Sequence, residues 1–275
     1  MRQDPQFFHA RATKLLRSRK RFVVATLLEV KGSAPQRAGA RMIIHSDGST
    51  EFTIGGGVFE AEVIRDGLAV FGANQTALHD YKLTKNELGM YCQGLVRVFF
   101  ELYRPRPQML IFGGGHVGQA LSRLAAVTDL FHVCVIDDRD EYADAHRHPF
   151  AHRVIHTDKD YEKRIPAIDS ETYIVLVTRC HGTDKLLVKR FLHTPQAYLG
   201  LIGSAGKIRQ FRHELSAEGI PATLLEQIHG PIGLPIGGKD PAEVAISILA
   251  EVIQTKNAKA GSNHMLSLAV KNRRP

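Results

Sequence analysis

Gly113-Gly114-Gly115-His116-Val117-Gly118 sets three glycines at GxGxxG spacing, directly after an apolar run and before a helical pattern. Glycine at those places permits a tight turn and close approach of a pyrophosphate, and the N-terminus of the following helix offers unpaired N–H donors. Asp137 stands nineteen residues beyond Gly118, at the end of the next apolar run, where an acid accepts from ribose hydroxyls. Gly113, Gly115, His116, Gly118 and Asp137 are therefore candidate cofactor-binding residues. The strand–loop–helix–strand–acid setting predicts a Rossmann-like domain. The fold does not decide the ligand, and a Rossmann scaffold with an unused groove stays open.

Further constellations lie where later strands end. In Thr178-Arg179-Cys180-His181-Gly182-Thr183-Asp184, His181 and Asp184 can share a hydrogen bond that fixes the imidazole tautomer. Alternatively Asp184 caps the next helix and His181 fills the loop. Cys180 carries no sequence feature that sets its pKa. Gly203-Ser204-Ala205-Gly206-Lys207 combines backbone donors, a hydroxyl and a cation; it reads as an anion cradle or as an ordinary strand–helix turn, with Gly203, Ser204 and Lys207 as candidates. Nearer the start, Gly32 and Ser33 open a GSAP break, and Gly55, Gly56 and Gly57 precede a helix that begins Val58-Phe59-Glu60. Successive glycines before a helix should leave bare N–H groups facing outward, a second anion-ready surface that includes Glu60. Cys92, in a glycine-flanked loop, suits a soft metal or a sulfur ligand; the competing reading is inert packing, as for Cys134 inside an apolar strand. Residues 228–238 hold four glycines and two prolines, and form either a loop that closes a cleft or a rigid connector.

The elements that must position these residues fall into two series. Phe8, Ala12, Leu15 and Leu16 predict an amphipathic helix over 5–19. Strands are expected at 22–30, 41–45 and 94–103, with a helix at 58–71. Arg104-Pro105-Arg106-Pro107 forbids continuous regular structure and marks a boundary, which gives an N-terminal part over 1–104 and a second over 108–255. From there strands at 109–113, 132–137, 173–178 and 197–203 alternate with helices at 117–127, around 160–165, at 184–192 and through about 217. That alternation implies an α/β fold, a parallel sheet with helices on both faces. A last helix over 241–254 starts at Asp240-Pro241, with Asp240 placed to cap it, and 256–275 reads as a loose tail.

Hydrophobic residues make up 44% of the 275 and charged residues 23%, an ordinary globular composition that argues against wholesale disorder. The net charge of +8 favours anionic or phosphorylated partners. The basic residues are scattered, however, and no helix-turn-helix, zinc-finger or RNP pattern accompanies them, so nucleic acid is not the expected partner. No apolar run has membrane-span length, and the N-terminus lacks a signal-peptide core. Three widely spaced cysteines give neither a disulfide framework nor a zinc pair. A cytoplasmic protein is expected.

In their order and spacing these segments resemble the XdhC/CoxI family of xanthine dehydrogenase accessory proteins. The resemblance rests on GSAP at 32–35, IGGGVFE at 54–60, the Cys92 loop, FGGGHVG at 112–118, IDDR at 136–139, TxxHxxD at 178–184, LIGSAGK at 201–207 and IHGPIGLPIGGKDPAEVAISILAEV at 228–252. It departs from the family pattern at Gln93 and at Pro235. The resemblance implies an N-terminal α+β domain followed by a Rossmann-like domain, often as a homodimer. It also implies a chaperone that binds the molybdenum cofactor in its molybdopterin form, supports sulfuration by a cysteine desulfurase and inserts the cofactor into an apo molybdenum hydroxylase of xanthine dehydrogenase type. Glycine loops of both parts would receive the phosphate, Cys92 would face the metal, and the cleft between the two parts is the expected place for the cargo. The alternative is an NAD(P)-dependent oxidoreductase with NAD(P) or another nucleotide in the Rossmann groove; such an enzyme needs an acid–base pair, for which only His181 and Asp184 present themselves.

Overall fold

A computed structural model describes residues 4–73, 75–83 and 94–259. Backbone proximity divides the chain into two units, Met1–Pro105 and Arg106–Pro275.

The first unit is built on a five-stranded antiparallel sheet. Helix α1 (Pro5–Arg17) begins where the Asp4 carboxylate accepts from the Gln6 N–H at 2.9 Å, and its buried residues Phe8, Ala12 and Leu15 recur at helical spacing. Strands β1 (Phe22–Lys31), β2 (Arg41–His45), β3 (Thr50–Phe52), β4 (Ala77–Leu83) and β5 (Gly94–Tyr103) lie in the order β3-β2-β1-β5-β4. Alternate residues of β1 face opposite ways. Phe22 and Val24 meet α1, while Val23, Ala25 and Leu27 meet Phe59, Val63 and Val70 of α2 (Gly57–Ala73). Burial on both faces explains why β1 reads as an unbroken apolar run. Strands β3 and β4 are additions to the sequence reading. β3 has three half-buried residues, and β4 is an edge strand of mixed polarity.

The second unit carries six parallel strands: β6 (Gln108–Phe112), β7 (His132–Asp137), β8 (Arg153–His156), β9 (Thr172–Leu176), β10 (Tyr198–Leu201) and β11 (Ile228–His229). Their order, β11-β10-β9-β6-β7-β8, is that of a doubly wound Rossmann sheet. Helices α3 (His116–Thr128) and α7 (Pro241–Lys259) cover one face, through Leu121, Ala125, Ala245, Ile248 and Val252. Helices α4 (His181–Phe191), α5 (Ala205–Ala217) and the one-turn α6 (Ala222–Leu225) cover the other, through Leu187, Phe191, Ile208, Phe211, Leu215 and Leu225. The predicted α/β class, a Rossmann-like parallel sheet preceded by a smaller α+β part, is the fold observed.

Two local expectations are corrected. Residues 160–165 form no helix: the Asp158 carboxylate accepts from the N–H groups of Glu162 (2.8 Å) and Lys163 (2.9 Å), and Tyr161 and Arg164 adopt positive φ, so side-chain bonding replaces the helical ladder. Helix α7 continues to Lys259, so 256–259 belong to it, and the rest of the expected tail lies outside the described residues. At the start of α7 Asp240 stands in the expected cap position, its carbonyl accepting from the Val244 N–H at 2.9 Å, and the Glu243 carboxylate reaches back to accept from the N–H groups of Lys239 (3.0 Å) and Asp240 (3.2 Å). Among the described residues no helix is long and apolar enough to cross a membrane.

Candidate functional site

Strand β6 has β9 on one side and β7 on the other, so the chain reverses its winding direction between β6 and β9. Open α/β sheets bind ligands in the crevice beyond the strand ends at such a point. Gly113 (φ 111°) closes the end of β6, giving its N–H to Ile136 O at 2.9 Å. A Cβ there would collide with the Val177 carbonyl, and one on Gly118 with the Gly113 carbonyl. Both glycines are therefore required for close packing of loop, helix and neighbouring strand. Gly115 is the N-cap of α3 with open space where its Cβ would stand, and His116 is exposed beside it.

Asp137 behaves differently from the ribose acceptor expected of it. The residue is 1% exposed, and both oxygens are already engaged. Oδ2 accepts from the Gly114 N–H (2.7 Å) and Arg139 Nη2 (2.9 Å); Oδ1 accepts from the Arg139 N–H (3.0 Å) and Nε (2.9 Å). Burial opposes the charge, but the Arg139 guanidinium and the two N–H groups hold this carboxyl below its usual range. The same loop shields Gly114: a Cβ on it would meet the Tyr142 carbonyl, which also accepts from buried His148 Nε2 at 3.0 Å.

The residues brought together lie one strand over. Thr178, Arg179, Cys180, His181 and Asp184, at and beyond the end of β9, face Gly203, Lys207, Ile208 and Phe211, at and beyond the end of β10, across a cleft of about 620 Å³, mouth included. The first turns of α4 and α5 both border it, so two helix N-termini point partial positive charge into one space. Of the candidates from sequence, His181, Asp184, Gly203 and Lys207 line this cleft. Ser204 is the N-cap of α5, its Oγ accepting from the Lys207 N–H at 3.3 Å.

Asp184 does not cap α4, because Cys180 occupies that place and Asp184 lies in the first turn. It is 8% exposed and accepts from Thr178 Oγ1 at 2.6 Å. Burial pushes its pKa up to about 6, against the opposing pull of Thr178, His181 and Lys207. The expected His181–Asp184 hydrogen bond is replaced by one from His181 Nε2 to Glu214 Oε2 at 3.4 Å, a carboxylate that Gln210, Lys185 and His181 together hold down at about 2. Thr178 and Glu214 are partners that local spacing does not reveal. Thr178 shows in the sequence only as a member of the TxxHxxD segment at a strand end, and Glu214 only through the i, i+4, i+7 spacing of Lys207, Phe211 and Glu214 along one face of α5.

Cys180 is exposed at the mouth of this cleft. Its sulfur makes no full capping hydrogen bond, yet the N–H groups of Thr183 and Gly182, then the Thr183 hydroxyl, draw the thiol below its ordinary value. Cys134 is the opposite case: burial pushes it up to about 12. Iodoacetamide at neutral pH should therefore alkylate Cys180 at least about tenfold faster than Cys134 in the native protein, as read by peptide mass spectrometry. Equal rates would contradict this assignment.

In the glycine loop of the first unit, the N–H groups of Gly55 and Gly56 are taken up by the loop itself. Glu60 Oε2 accepts from Thr53 Oγ1 (2.5 Å), Ile54 N–H (3.1 Å) and Gly56 N–H (3.0 Å), and the Gly55 N–H goes to Thr53 Oγ1 (3.1 Å). Glu60 thus shapes the loop from inside. Gly55, Gly56 and Gly57 all have positive φ, and a Cβ on Gly55 would strike Pro35 of the GSAP segment. Gly32 and Ser33 are exposed in the same unit. Cys92 lies outside the described residues.

A doubly wound sheet with a polar cleft beyond its strand ends, preceded by a small antiparallel α+β unit, defines a two-module protein of Rossmann type. The model of the XdhC Rossmann domain matches residues 109–252, and that of the XdhC and CoxI family matches residues 15–82. The chain belongs to the XdhC/CoxI family. It is 30% identical over 255 residues to the uncharacterized protein YqeB of Escherichia coli, an alignment that covers 91% of this chain but 46% of that protein, so the chain spans about half of that relative's length. A probable xanthine dehydrogenase subunit of Bacillus subtilis is 22% identical, with 92% of this chain and 98% of that protein covered. A crystal structure described as a xanthine dehydrogenase of Bacillus halodurans shares the fold, with a TM-score of 0.52, 19% identity, and coverage of 94% of this chain and 99% of that one.

Proposed function

We propose that this protein is an accessory protein of a molybdenum hydroxylase of xanthine dehydrogenase type, and that it carries the molybdenum cofactor as cargo rather than catalysing a reaction. In this reading it protects the cofactor, supports its sulfuration by a cysteine desulfurase and delivers it to the apo hydroxylase, acting as a homodimer in the cytoplasm. Family membership supports the accessory role. The observation that carries the cargo reading is the donor set of the cleft beyond β9 and β10.

That cargo combines a phosphate, a flat pterin and a metal held by sulfur, and the cleft suits the first two. Lys207 and the N-termini of α4 and α5 favour a phosphate. Leu201, Ile202, Ile208 and Phe211 give an apolar wall for a flat ring. Cys92 is the residue assigned to the metal.

An NAD(P)-dependent oxidoreductase is less well supported. Asp137 is saturated by its own chain, and His181 is tied to Glu214 rather than to Asp184, which leaves no hydrogen-bonded acid–base pair between those two residues. Co-expression with the cofactor synthesis enzymes, followed by oxygen-free purification, tests the proposal. The protein should retain molybdenum and fluorescent pterin oxidation products in comparable amounts, and Cys92→Ser should lower the molybdenum retained. Recovery of neither, together with tight binding and consumption of NADH, would overturn it.

A further inference from the structure

The cleft holds one group that a phosphate site has no use for. Asp184 is a buried carboxyl, 8% exposed, set in the wall between Thr178 and Lys207. A carboxylate has about four lone-pair positions, and Thr178 Oγ1 fills one of them at 2.6 Å. Toward the cleft the carboxylate therefore asks for hydrogen-bond donors. An anion is repelled there. A cationic ligand is disfavoured as well, because Lys207 and Arg179 already line the same space. What remains for the part of the ligand that faces Asp184 is a neutral group with paired donors. The aminopyrimidinone edge, a ring N–H beside an exocyclic amino group, presents two parallel donors at the spacing of the two carboxylate oxygens. Its flat faces match the apolar wall of Leu201, Ile202, Ile208 and Phe211.

We propose that Asp184 is the specificity-determining residue of this cleft and accepts both N–H donors of an aminopyrimidinone edge, with Thr178 orienting the carboxylate from behind. The proposal deepens the cargo reading and rests on it for the identity of the natural ligand. Pterins and guanine share this edge. Adenine does not, since it offers one donor beside one acceptor, and replacing the amino group of pterin by an oxygen, as in lumazine, turns one donor into an acceptor. A mismatch of that kind leaves a buried acceptor facing an acceptor, which costs far more than a weakened contact.

The test is a fluorescence titration of the full chain with pterin at about pH 7.5, with lumazine, guanosine, inosine and adenosine as competitors. Pterin should bind at least about tenfold more tightly than lumazine, in keeping with the strength of hydrogen bonds to a charged group. Guanosine should outcompete inosine, which lacks the amino group, if the cleft tolerates a ribose; a cleft specific for pterin ignores both. Asp184→Asn should cost pterin on the order of 10- to 100-fold and lumazine much less, with a thermal melt to verify folding. Asp184→Glu, which restores the charge, should recover part of the loss. Equal binding of pterin and lumazine by the wild-type protein, no pterin binding at all, or unchanged pterin affinity in a folded Asp184→Asn protein would each overturn the proposal. Oxygen-free loading separates it from the wider reading. If Asp184→Asn retains as much molybdenum and pterin as wild type, edge recognition fails and the carrier role stands. If wild type retains neither yet still separates pterin from lumazine, the carrier role fails and edge recognition stands.

Discussion

The Asp184→Asn protein is expected to be more stable than wild type at about pH 7.5, even though it binds its ligand less well. The sign follows from the raised pKa, about 6 in the folded chain against an ordinary 3.8. Well below pH 4 the group is neutral in both states and has no effect on the equilibrium. As pH rises from about 4 to about 6 the unfolded chain gives up a proton that the folded chain retains, so folding loses stability throughout that window. Above about 6 the loss is complete and constant. A rise of that size corresponds to roughly 3 kcal/mol; water at the cleft mouth screens part of it, so about 2 kcal/mol is expected. Asparagine keeps a carbonyl oxygen for the Thr178 hydroxyl and carries no charge to bury. Thermal melts should then place the variant roughly 4–8 °C above wild type at about pH 7.5 and close to it near pH 4. A variant that melts below wild type at the higher pH would mean that the carboxylate stabilises the fold. A buried carboxyl that weakens its own fold in a cleft is the arrangement expected of a ligand-binding residue.

Much of this architecture was legible because burial leaves a strong imprint on sequence. The central strands of the second unit are covered on both faces and read as unbroken apolar runs, and their alternation with helices dictates a parallel sheet. Elements with little burial were not legible: β3, the edge strand β4, the two-residue β11 and the single turn α6. The segment after β8 has helical composition but is folded by one side chain, Asp158, and no periodicity announces such a contact. For the site, the motif positions led to strand ends whose residues His181, Asp184, Gly203 and Lys207 share one cleft, but not to the contacts each makes. Asp137, Glu60 and Asp184 are three carboxylates beside glycine- or threonine-bearing loops, equivalent on paper. Tertiary contacts separate them. Asp137 and Glu60 spend their oxygens on their own loops, whereas Asp184 has a single hydroxyl donor and a wall position in the cleft. Cys180 likewise has its thiol drawn below the ordinary value only through its place at the start of α4.

Removing the Asp137 carboxylate should do the reverse of removing that of Asp184. Asp137→Ala strands the Arg139 guanidinium, which is packed 3.6 Å from the Tyr142 ring centroid, and leaves the Gly114 N–H unpaired in a buried place. Breaking a buried pair by deleting one partner typically costs 3–5 kcal/mol, about what is expected here at neutral pH. The damage should spread along the covering segment, because Arg147 also lies over Tyr142, at 4.7 Å, and Tyr142 O holds His148. The pH dependence has the opposite sign to that of Asp184. A carboxyl whose folded pKa is depressed contributes its stability above the ordinary 3.8, and that contribution is lost as pH falls through the folded value. Wild type and Asp137→Ala should therefore differ most at neutral pH and converge in acid, as followed by urea denaturation. NADH titration supplies the second readout. Were Asp137 a ribose ligand, its loss would abolish nicotinamide binding and leave the unfolding free energy within about 0.5 kcal/mol of wild type, since a solvated acceptor contributes little to folding. A large fall in stability, in a protein whose weak response to NADH is the same before and after the substitution, would place this acid among the residues that build the loop.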